Sequence, residues 1–411
     1  MMSTAAPSNP LYRLNVVIVA GCIIALIAFG VRATAGLFNA PMSEANGWGR
    51  EVFGLAFALQ NLIWGLAQPF VGMVADKFGT MRVVMLGAVI YAVGMLLTAV
   101  ADAPILLHLG AGLLVGIGIA MTSFSLIMAA FSRLVPPERR SWTFGIATAA
   151  SSMGQFVFSP LSQAFISAFG WQNALFILAA SCLLMIPLAF PLGAVKGGAV
   201  AAADEADLTI RQAIGRAFGH GSYVLLVLGF FVCGFQIAFI TVHMPPYLVE
   251  RGVSPFVAGW AIGVVGLFNV VGSYCAGIFG GRHSKRWGLS AIYFLRSVVI
   301  VLFLLMPIST ASALLFSASM GLLWLSTVPL TMGLVALMFG TRYIATLYGF
   351  VFFSHQVGSF FGVYLGGLFY DLYGNYDMVW YLSIALGLFA AIMHLPIREQ
   401  QAQGFGLAPA R

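Results

Sequence analysis

Long apolar blocks are the feature of this sequence that most constrains its fold. They run for roughly 20 residues or more, the length that spans the hydrocarbon core of a bilayer. Only 8% of the 411 residues are charged, whereas soluble domains carry about 25% charged residues. Because a backbone in lipid has to satisfy its own hydrogen bonds, each block is expected to form a helix. The chain is therefore predicted to be an all-α polytopic membrane protein.

Twelve such blocks occur, which places both ends of the chain on one side of the membrane. We predict spans at 14–40, 51–76, 83–101, 104–133, 142–168, 171–195, 221–249, 254–280, 289–308, 311–337, 342–370 and 376–397. The four cysteines lie inside these blocks without metal-ligand spacing. No cofactor, metal or nucleotide site is expected, since the phosphate-binding G-x-x-x-x-G-K pattern is missing from the sequence.

The basic residues predict the orientation. If both termini are cytoplasmic, only Arg50 and Arg251 among the 19 Lys and Arg residues face outside, while Arg32 and Arg296 lie within spans. This asymmetry follows the positive-inside rule. It also explains the pI of about 9.4 without a nucleic-acid partner. We expect an integral, monomeric protein of a bacterial inner (plasma) membrane with both termini in the cytoplasm.

The two halves of the chain repeat each other. GMVADKFG at 72–79 resembles GRHSKRWG at 281–288 in its terminal glycines and its basic–aromatic pair. Glycines also recur at an offset of 204 positions, Gly30 as Gly234 and Gly154 as Gly358. Two parallel six-helix pseudo-repeats around a midplane site are typical of transporters. The predicted units are an N-terminal bundle at 1–195, a cytoplasmic linker at 196–220 and a C-terminal bundle at 221–411.

Two segments carry a family resemblance. GMVADKFGTMR at 72–82 is similar to the signature that the major facilitator superfamily carries between its second and third helices. Within that superfamily, 32–50 resembles the first-helix region of monocarboxylate and oxalate/formate transporters. The resemblance implies the major facilitator fold and alternating access. Where monocarboxylate transporters typically carry Asp and Arg in helix eight, this chain has Asn269 and Ser273.

Arg32 is the main candidate for a substrate contact. It interrupts an apolar run, and a charge at the bilayer centre costs at least about 2.5–3.5 kcal/mol unless it is hydrated or paired. Its planar guanidinium matches a carboxylate. By resemblance it occupies the position of a substrate-contacting Lys in monocarboxylate transporters. The alternative interpretation is an arginine that reaches to the outer interface. For Arg296, bonding to a neighbouring helix or reaching to the interface is favoured.

Histidines are the candidates for proton coupling, because every acid in the sequence maps to a loop or span end. His355 and Gln356 form a pair in the middle of span 11, where the resemblance implies a contact with the anion. Imidazole can bind a proton near neutral pH. Further candidates for the cavity lining are Gln236, His243, Asn61, Asn269 and Trp324. Such polar residues also serve simply to tie helices together.

The segment after span 2 is predicted to gate the transporter. Asp76 and Lys77, with Arg82 and the flanking Gly72 and Gly79, match the family signature. An acid here can pair with a base or cap a helix of the neighbouring bundle. The alternative is a simple interfacial charge cluster.

The predicted function is secondary active or facilitative transport of a small organic anion, most simply a monocarboxylate. Uniport, exchange against a counter-anion and histidine-based proton coupling all fit the sequence. The alternative is efflux of hydrophobic compounds by a drug/proton antiporter, which predicts an acid in the cavity. An intramembrane enzyme is not expected, because the six histidines are scattered.

Overall fold

The computed structural model describes residues 13–134, 137–194, 209–340 and 344–402. Helices joined by short connections form this part of the chain, and no strand occurs within it. The prediction of an all-α polytopic protein is confirmed.

The first half contains spans 1 to 6. Span 1 runs over Leu14–Ala33 and continues through a 3-10 turn, Ala35–Phe38, into the helix Asn39–Asn46. Span 2 is Arg50–Phe78, and span 3 is Thr80–Ala99. Span 4 consists of Pro104–Leu107, a π-helical stretch His108–Leu114, Val115–Thr122 and Phe124–Leu134. Spans 5 and 6 share Pro137–Leu183, followed by Met185–Ala189 and the 3-10 turn Phe190–Ala194.

The second half begins with a short amphipathic helix, Ile210–Phe218. A capping box between Thr209 and Gln212 stabilises its N-terminus. Spans 7, 8 and 9 are Gly221–Glu250, Pro255–Arg282 and Lys285–Leu305. Span 10 consists of two helices, Thr310–Leu323 and Thr327–Phe339. Spans 11 and 12 are Ile344–Tyr373 and Asp377–His394. The span predicted at 311–337 corresponds to the membrane-spanning segment Thr310–Phe339, and its helix breaks at residues 324–326.

Nine segments of the described chain are long and apolar enough to cross a membrane. One of them, Ile146–Gly193, has 48 residues and is divided by Gly170, whose φ of 80° ends one helix and starts the next. It therefore provides two crossings, spans 5 and 6. Spans 2 and 11 are helices of 29 and 30 residues and account for the remaining two of the twelve.

The packing reproduces the sequence repeat. A Cβ atom on Gly154 of span 5 would overlap the carbonyl oxygen of Leu26 in span 1. At the equivalent place in the second half, a Cβ atom on Gly358 of span 11 would overlap the carbonyl oxygen of Phe231 in span 7. Small residues allow two helices to approach closely in lipid. The recurring glycines therefore mark the same helix contact in each half.

The interior is divided into two cores. One is built almost entirely from side chains between Val17 and Leu192, and the other from side chains between Ala213 and Ala402. Span 2 packs on span 11 and span 5 packs on span 8 where the halves meet, with Gly54, Gly65 and Gly263 at the closest approaches.

Two faces of the molecule can be defined from the connections. The terminal face carries the start of span 1, the end of span 12 and the connection 283–284, where Glu399 meets Ser284. The distal face carries the connections 47–49, 251–254 and 374–376.

Candidate functional site

Arg32 lies at the end of the first helix of span 1, half-buried between span 2 and the distal part of its own span. Its Nη2 donates a hydrogen bond of 2.7 Å to Oδ1 of Asn61. The guanidinium also lies over the indole of Trp64, 4.8 Å from the ring centroid, which is within the range of a cation–π contact. Its Nε is buried without any hydrogen-bond acceptor. The side chain is thus oriented by span 2 and keeps an unused donor.

Two residues connect Arg32 to the second half. Besides binding Arg32, Asn61 accepts a hydrogen bond of 3.0 Å on its backbone oxygen from Nε2 of Gln356. The other end of that amide, Oε1, lies 3.0 Å from Nδ1 of His355. The structure therefore places the predicted pair Arg32 and His355 on one polar path that crosses between spans 1, 2 and 11.

Aromatic rings that the sequence analysis missed line this path. Trp64 packs edge-on against Phe352 at 5.3 Å, and Phe352 stacks on His355 at 5.7 Å with an interplanar angle of 7°. Trp64 follows Asn61 by three residues, so the two share one face of span 2. That spacing is the sequence signal that identifies Trp64. Phe352 belongs to a distant span and has no such signal.

The charge of the site is positive. In the part of the chain that the structure describes, every Asp and Glu side chain lies at or near a helix end, and neither ion pair found there involves Arg32. Arg32 lines two small cavities, whose volumes open to a water-sized molecule are about 20 and 10 Å³. Each holds about one water, so neither cavity accommodates an organic substrate.

Asn61 lines the smaller of the two cavities beside Arg32. The other predicted cavity residues, which line neither cavity and have protein partners elsewhere, are Gln236, His243, Asn269 and Trp324. Gln236 donates to the Ser383 backbone oxygen at 2.9 Å. His243 is fully buried, with Nε2 2.8 Å from the Val363 carbonyl. Their role in substrate binding stays a prediction.

Asn269, Trp324 and Arg296 meet at the break in span 10. Oδ1 of Asn269 accepts a hydrogen bond of 3.0 Å from the backbone N–H of Leu325. The guanidinium of Arg296, which is 0% exposed, donates to the carbonyls of Leu323 and Trp324. A break inside a membrane leaves backbone groups without partners, and a cation is favourable at a helix C-terminus. Asn269 and Arg296 therefore stabilise the broken helix, and Arg296 bonds to neighbouring helices rather than reaching the interface.

A polar network joins the two halves at the distal face. The guanidinium of Arg50, the first residue of span 2, forms an ion pair with Glu250 of span 7. It also donates a hydrogen bond of 2.7 Å to the hydroxyl of Tyr376 and lies 3.9 Å from the Tyr370 ring centroid. The carboxylate of Asp371 accepts from the backbone N–H of Arg50. Span 2 is thus held against spans 7 and 11, and the distal face is closed.

This distal network differs from the gating set that the sequence predicts. The side chains of Asp76 and Lys77 lie outside the described part of the structure. Arg82 is exposed, a Cβ atom placed on Gly72 would meet no neighbour within 4 Å, and Gly79 separates spans 2 and 3 with φ 89°. Sequence reasoning missed the distal network because its members are ordinary charges and tyrosines near helix ends, separated by as many as 326 positions.

Among the described residues, no group of three or more His, Cys, Asp and Glu side chains could hold a metal ion. The chemistry available at the site is therefore that of one guanidinium, one imidazole, two amides and aromatic rings. A planar guanidinium in such a set is a suitable partner for a carboxylate.

A model of the Major Facilitator Superfamily matches residues 21–363 and 226–410. The chain belongs to this superfamily. It is an integral membrane transporter, with a small-molecule substrate and a lipid environment.

The relatives of this chain include monocarboxylate transporters. The chain is 27% identical over 379 residues to the uncharacterized MFS-type transporter YcxA of Bacillus subtilis (strain 168), covering 89% of this chain and 90% of that protein. It is 27% identical over 368 residues to monocarboxylate transporter 13 of Rattus norvegicus, with 85% and 81% covered. It is also 25% identical over 403 residues to monocarboxylate transporter 11 of Homo sapiens, with 90% and 79% covered. The predicted resemblance to the monocarboxylate branch is confirmed.

The fold matches a solved transporter. A bacterial homolog of the human lysosomal transporter Spinster, in an inward-facing and unoccupied conformation, superposes with a TM-score of 0.78 at 15% identity. The match covers 98% of this chain and 100% of that one. The major facilitator fold predicted from the repeat is thus confirmed.

Proposed function

We propose that this transporter moves a small organic anion, most simply a monocarboxylate, and that Arg32 binds the carboxylate. One observation carries the proposal. The guanidinium of Arg32 is half-buried and has an Nε donor without an acceptor. Neither ion pair in the described structure joins Arg32 to a carboxylate. Asn61 holds one edge of the planar fork and leaves the rest of it for a bidentate contact with a carboxylate.

His355, with Gln356, supplies the contact from the second half. Because Nδ1 of His355 faces Oε1 of Gln356, that nitrogen is the donor in the neutral ring, and Nε2 is the acceptor. When the ring is protonated, both nitrogens donate. A substrate anion between Arg32 and His355 then bridges the halves. Gln236, His243, Asn61, Asn269 and Trp324 complete the proposed set of substrate-site residues.

The proposed mechanism is alternating access. The units that rock are the bundles at 1–195 and 221–411, joined by the linker 196–220. The distal network of Arg50, Glu250 and Asp371 closes one side of the site, and the 72–82 segment with Asp76, Lys77 and Arg82 gates the other. Proton coupling through histidine, exchange against a counter-anion and uniport are the modes compatible with this site.

The proposed location is a bacterial inner membrane, with the terminal face towards the cytoplasm and the protein monomeric. The uneven distribution of Lys and Arg supports this orientation. Drug/proton antiport of hydrophobic compounds gains no support from the site, since no acid with a described side chain lies in mid-span.

Uptake of radiolabelled small carboxylates into proteoliposomes tests the proposal. Wild type is compared with Arg32→Gln and with Arg211→Gln, a matched control on the exposed face of the helix Ile210–Phe218. Saturable carboxylate uptake by wild type and Arg211→Gln that is lost in folded Arg32→Gln is the expected result. If no carboxylate moves, or if Arg32→Gln transports normally, the proposal is wrong.

A further inference from the structure

A second cluster of ionisable groups lies behind the substrate path, inside the second half. The thiol of Cys233, on span 7, lies 3.5 Å from Nη1 of Arg296 on span 9 and 3.3 Å from the hydroxyl of Thr327 on span 10. The imidazole of His355, on span 11, also interacts with this thiol. Cys233 and Arg296 are both 0% exposed. The cluster therefore joins four spans and touches the substrate path at His355.

In the part of the chain that the structure describes, no carboxylate pairs with Arg296. A guanidinium keeps its proton in proteins, and an isolated buried charge is costly. The carbonyls of Leu323 and Trp324 provide only partial negative charge at the C-terminus of a half-helix. The remaining nitrogen, Nη1, points at Oε1 of Gln236 at 3.3 Å and at the sulfur of Cys233. The sulfur is thus the one atom next to Nη1 that can take up a full negative charge.

We propose that Cys233 is the site that binds and releases the coupling proton, in place of the mid-span carboxylate that this chain lacks. Arg296 stabilises the thiolate, and His355 connects the sulfur to the substrate path. The inference rests on the proposed function for its role in transport, but the acid–base behaviour of the thiol is independent of any substrate.

The proton transfer is balanced within the cluster. The S–H bond of Cys233 breaks, sulfur keeps the electron pair, and the proton adds to the unprotonated nitrogen of the neutral His355 ring, with which the thiol interacts. The resulting imidazolium faces the substrate path and is stabilised by a bound carboxylate. A substrate anion and a proton therefore favour each other's binding, and by thermodynamic linkage the effect is reciprocal.

The other ionisable groups around Cys233 are hydroxyls and one imidazole. Tyr293 of span 9 and Tyr348 of span 11 both lie close enough to interact with the thiol. His394 of span 12 lies against Gly229, one helical turn from Cys233. Neither tyrosine carries charge at neutral pH, so Arg296 is the cation that sets the state of the sulfur.

Infrared spectroscopy of the S–H stretch tests the site directly, since this band lies apart from other protein absorption. Full-length protein that retains only Cys233 is compared with protein that retains only Cys182, which is equally buried but sits in the apolar core of the first half. The expected S–H band of Cys233 is present at acid pH and weakens as the pH is raised, while that of Cys182 persists. A Cys233 band that persists like that of Cys182 overturns the inference.

A transport assay of Cys233→Ala is the second test of the inference. Cys233→Ala is expected to keep carboxylate counterflow but to lose the stimulation of uptake by an inward proton gradient. Stimulation as large as in wild type overturns the inference while leaving the proposed function intact. If no carboxylate moves in either protein, the proposed function fails instead, and the infrared result still decides whether Cys233 binds a proton.

Discussion

Asp371 of span 11 caps a helix in the opposite half of the molecule, where its carboxylate accepts a 2.9 Å hydrogen bond from the backbone N–H of Arg50. The neighbouring N–H of Glu51 donates to the same carboxylate at 2.6 Å. The first N–H groups of a helix have no intrahelical partner. Span 2 thus obtains its cap from the other half, and the cap is lost whenever the distal face opens.

Asp371→Asn is expected to favour distal opening. Loss of a charged cap costs about 0.5–2 kcal/mol, which shifts the ratio of distal-closed to distal-open protein by about 2- to 30-fold. Spin labels at Ala45 and Tyr373, which are exposed on the distal face of each half, measure the separation. Asp102→Asn, an exposed acid in the connection between spans 3 and 4, is the control. An unchanged distance distribution in Asp371→Asn contradicts the capping role.

Asn61→Leu is expected to weaken substrate binding more than turnover. Asn61 orients the Arg32 guanidinium through a 2.7 Å bond, and a hydrogen bond to a charged group contributes about 1.5–3 kcal/mol. The KM for a transported carboxylate should therefore rise about tenfold or more. Kinetics of proteoliposome uptake measure this, with Asn173→Leu as the control because Asn173 bonds only to the Phe169 carbonyl at an exposed site. A KM equal to that of wild type would show that the hydrogen bond from Arg32 to Asn61 does not contribute to substrate binding.

Glu399 gives a pH-dependent contact at the terminal face. Burial raises the pKa of this carboxyl, but hydrogen bonds from Ser284 and the backbone of Arg286, with the charge of Lys285, outweigh burial and lower it. A lowered pKa means that the stabilisation is present above the unfolded pKa of about 4.3 and is lost as pH falls through the folded value.

Glu399→Gln should accordingly destabilise the start of span 9 at neutral pH and not at strongly acid pH. The effect should stay below about 1 kcal/mol, because the carboxyl is largely solvated. Hydrogen exchange of the amides of residues 285–290 at several pH values measures it. Glu44→Gln, an exposed acid on the distal face, serves as the comparison. A difference between Glu399→Gln and wild type that does not depend on pH rules out the ionic contact.

Gly154→Ala is expected to destabilise the first half. A methyl group there would overlap the Leu26 carbonyl oxygen, and overpacking costs about 1–3 kcal/mol. Thermal unfolding of purified protein should show a clear drop in Tm. Gly349→Ala is the matched control, because no atom lies within 4 Å of a Cβ at that position. Equal stability of the two variants would show that spans 1 and 5 do not depend on their close approach.

The recovery of the fold from sequence rests on a small number of strong physical constraints. Lipid forces every long apolar block into a helix, so the spans follow from composition. The repeat follows from glycines such as Gly30 and Gly234, because a position where two helix backbones touch tolerates no side chain in either half. Arg32 stands out for the same reason, since a lone charge in an apolar run requires a role.

Other features depended on contacts between distant parts of the chain. The break in span 10 has no proline or glycine at residues 324–326. It is stabilised by Arg296 and Asn269 from other spans, which a local pattern does not reveal. In segment 281–288 of the second half, Lys285 stands at the position that Asp76 has in the first half. The carboxylate there comes instead from Glu399, near the end of the described chain, which accepts a hydrogen bond from the backbone N–H of Arg286.

The sequence by itself thus determined the helices, their repeat and the basic residue at the centre, because burial in lipid acts on each segment separately. Only the tertiary structure decided that Asp371 caps span 2, that Asn61 and Gln356 join Arg32 to His355, and that Cys233 neighbours Arg296. Those relationships are short-range contacts between groups far apart in sequence, and a hydrogen bond depends on ångström distances that no spacing along the chain records.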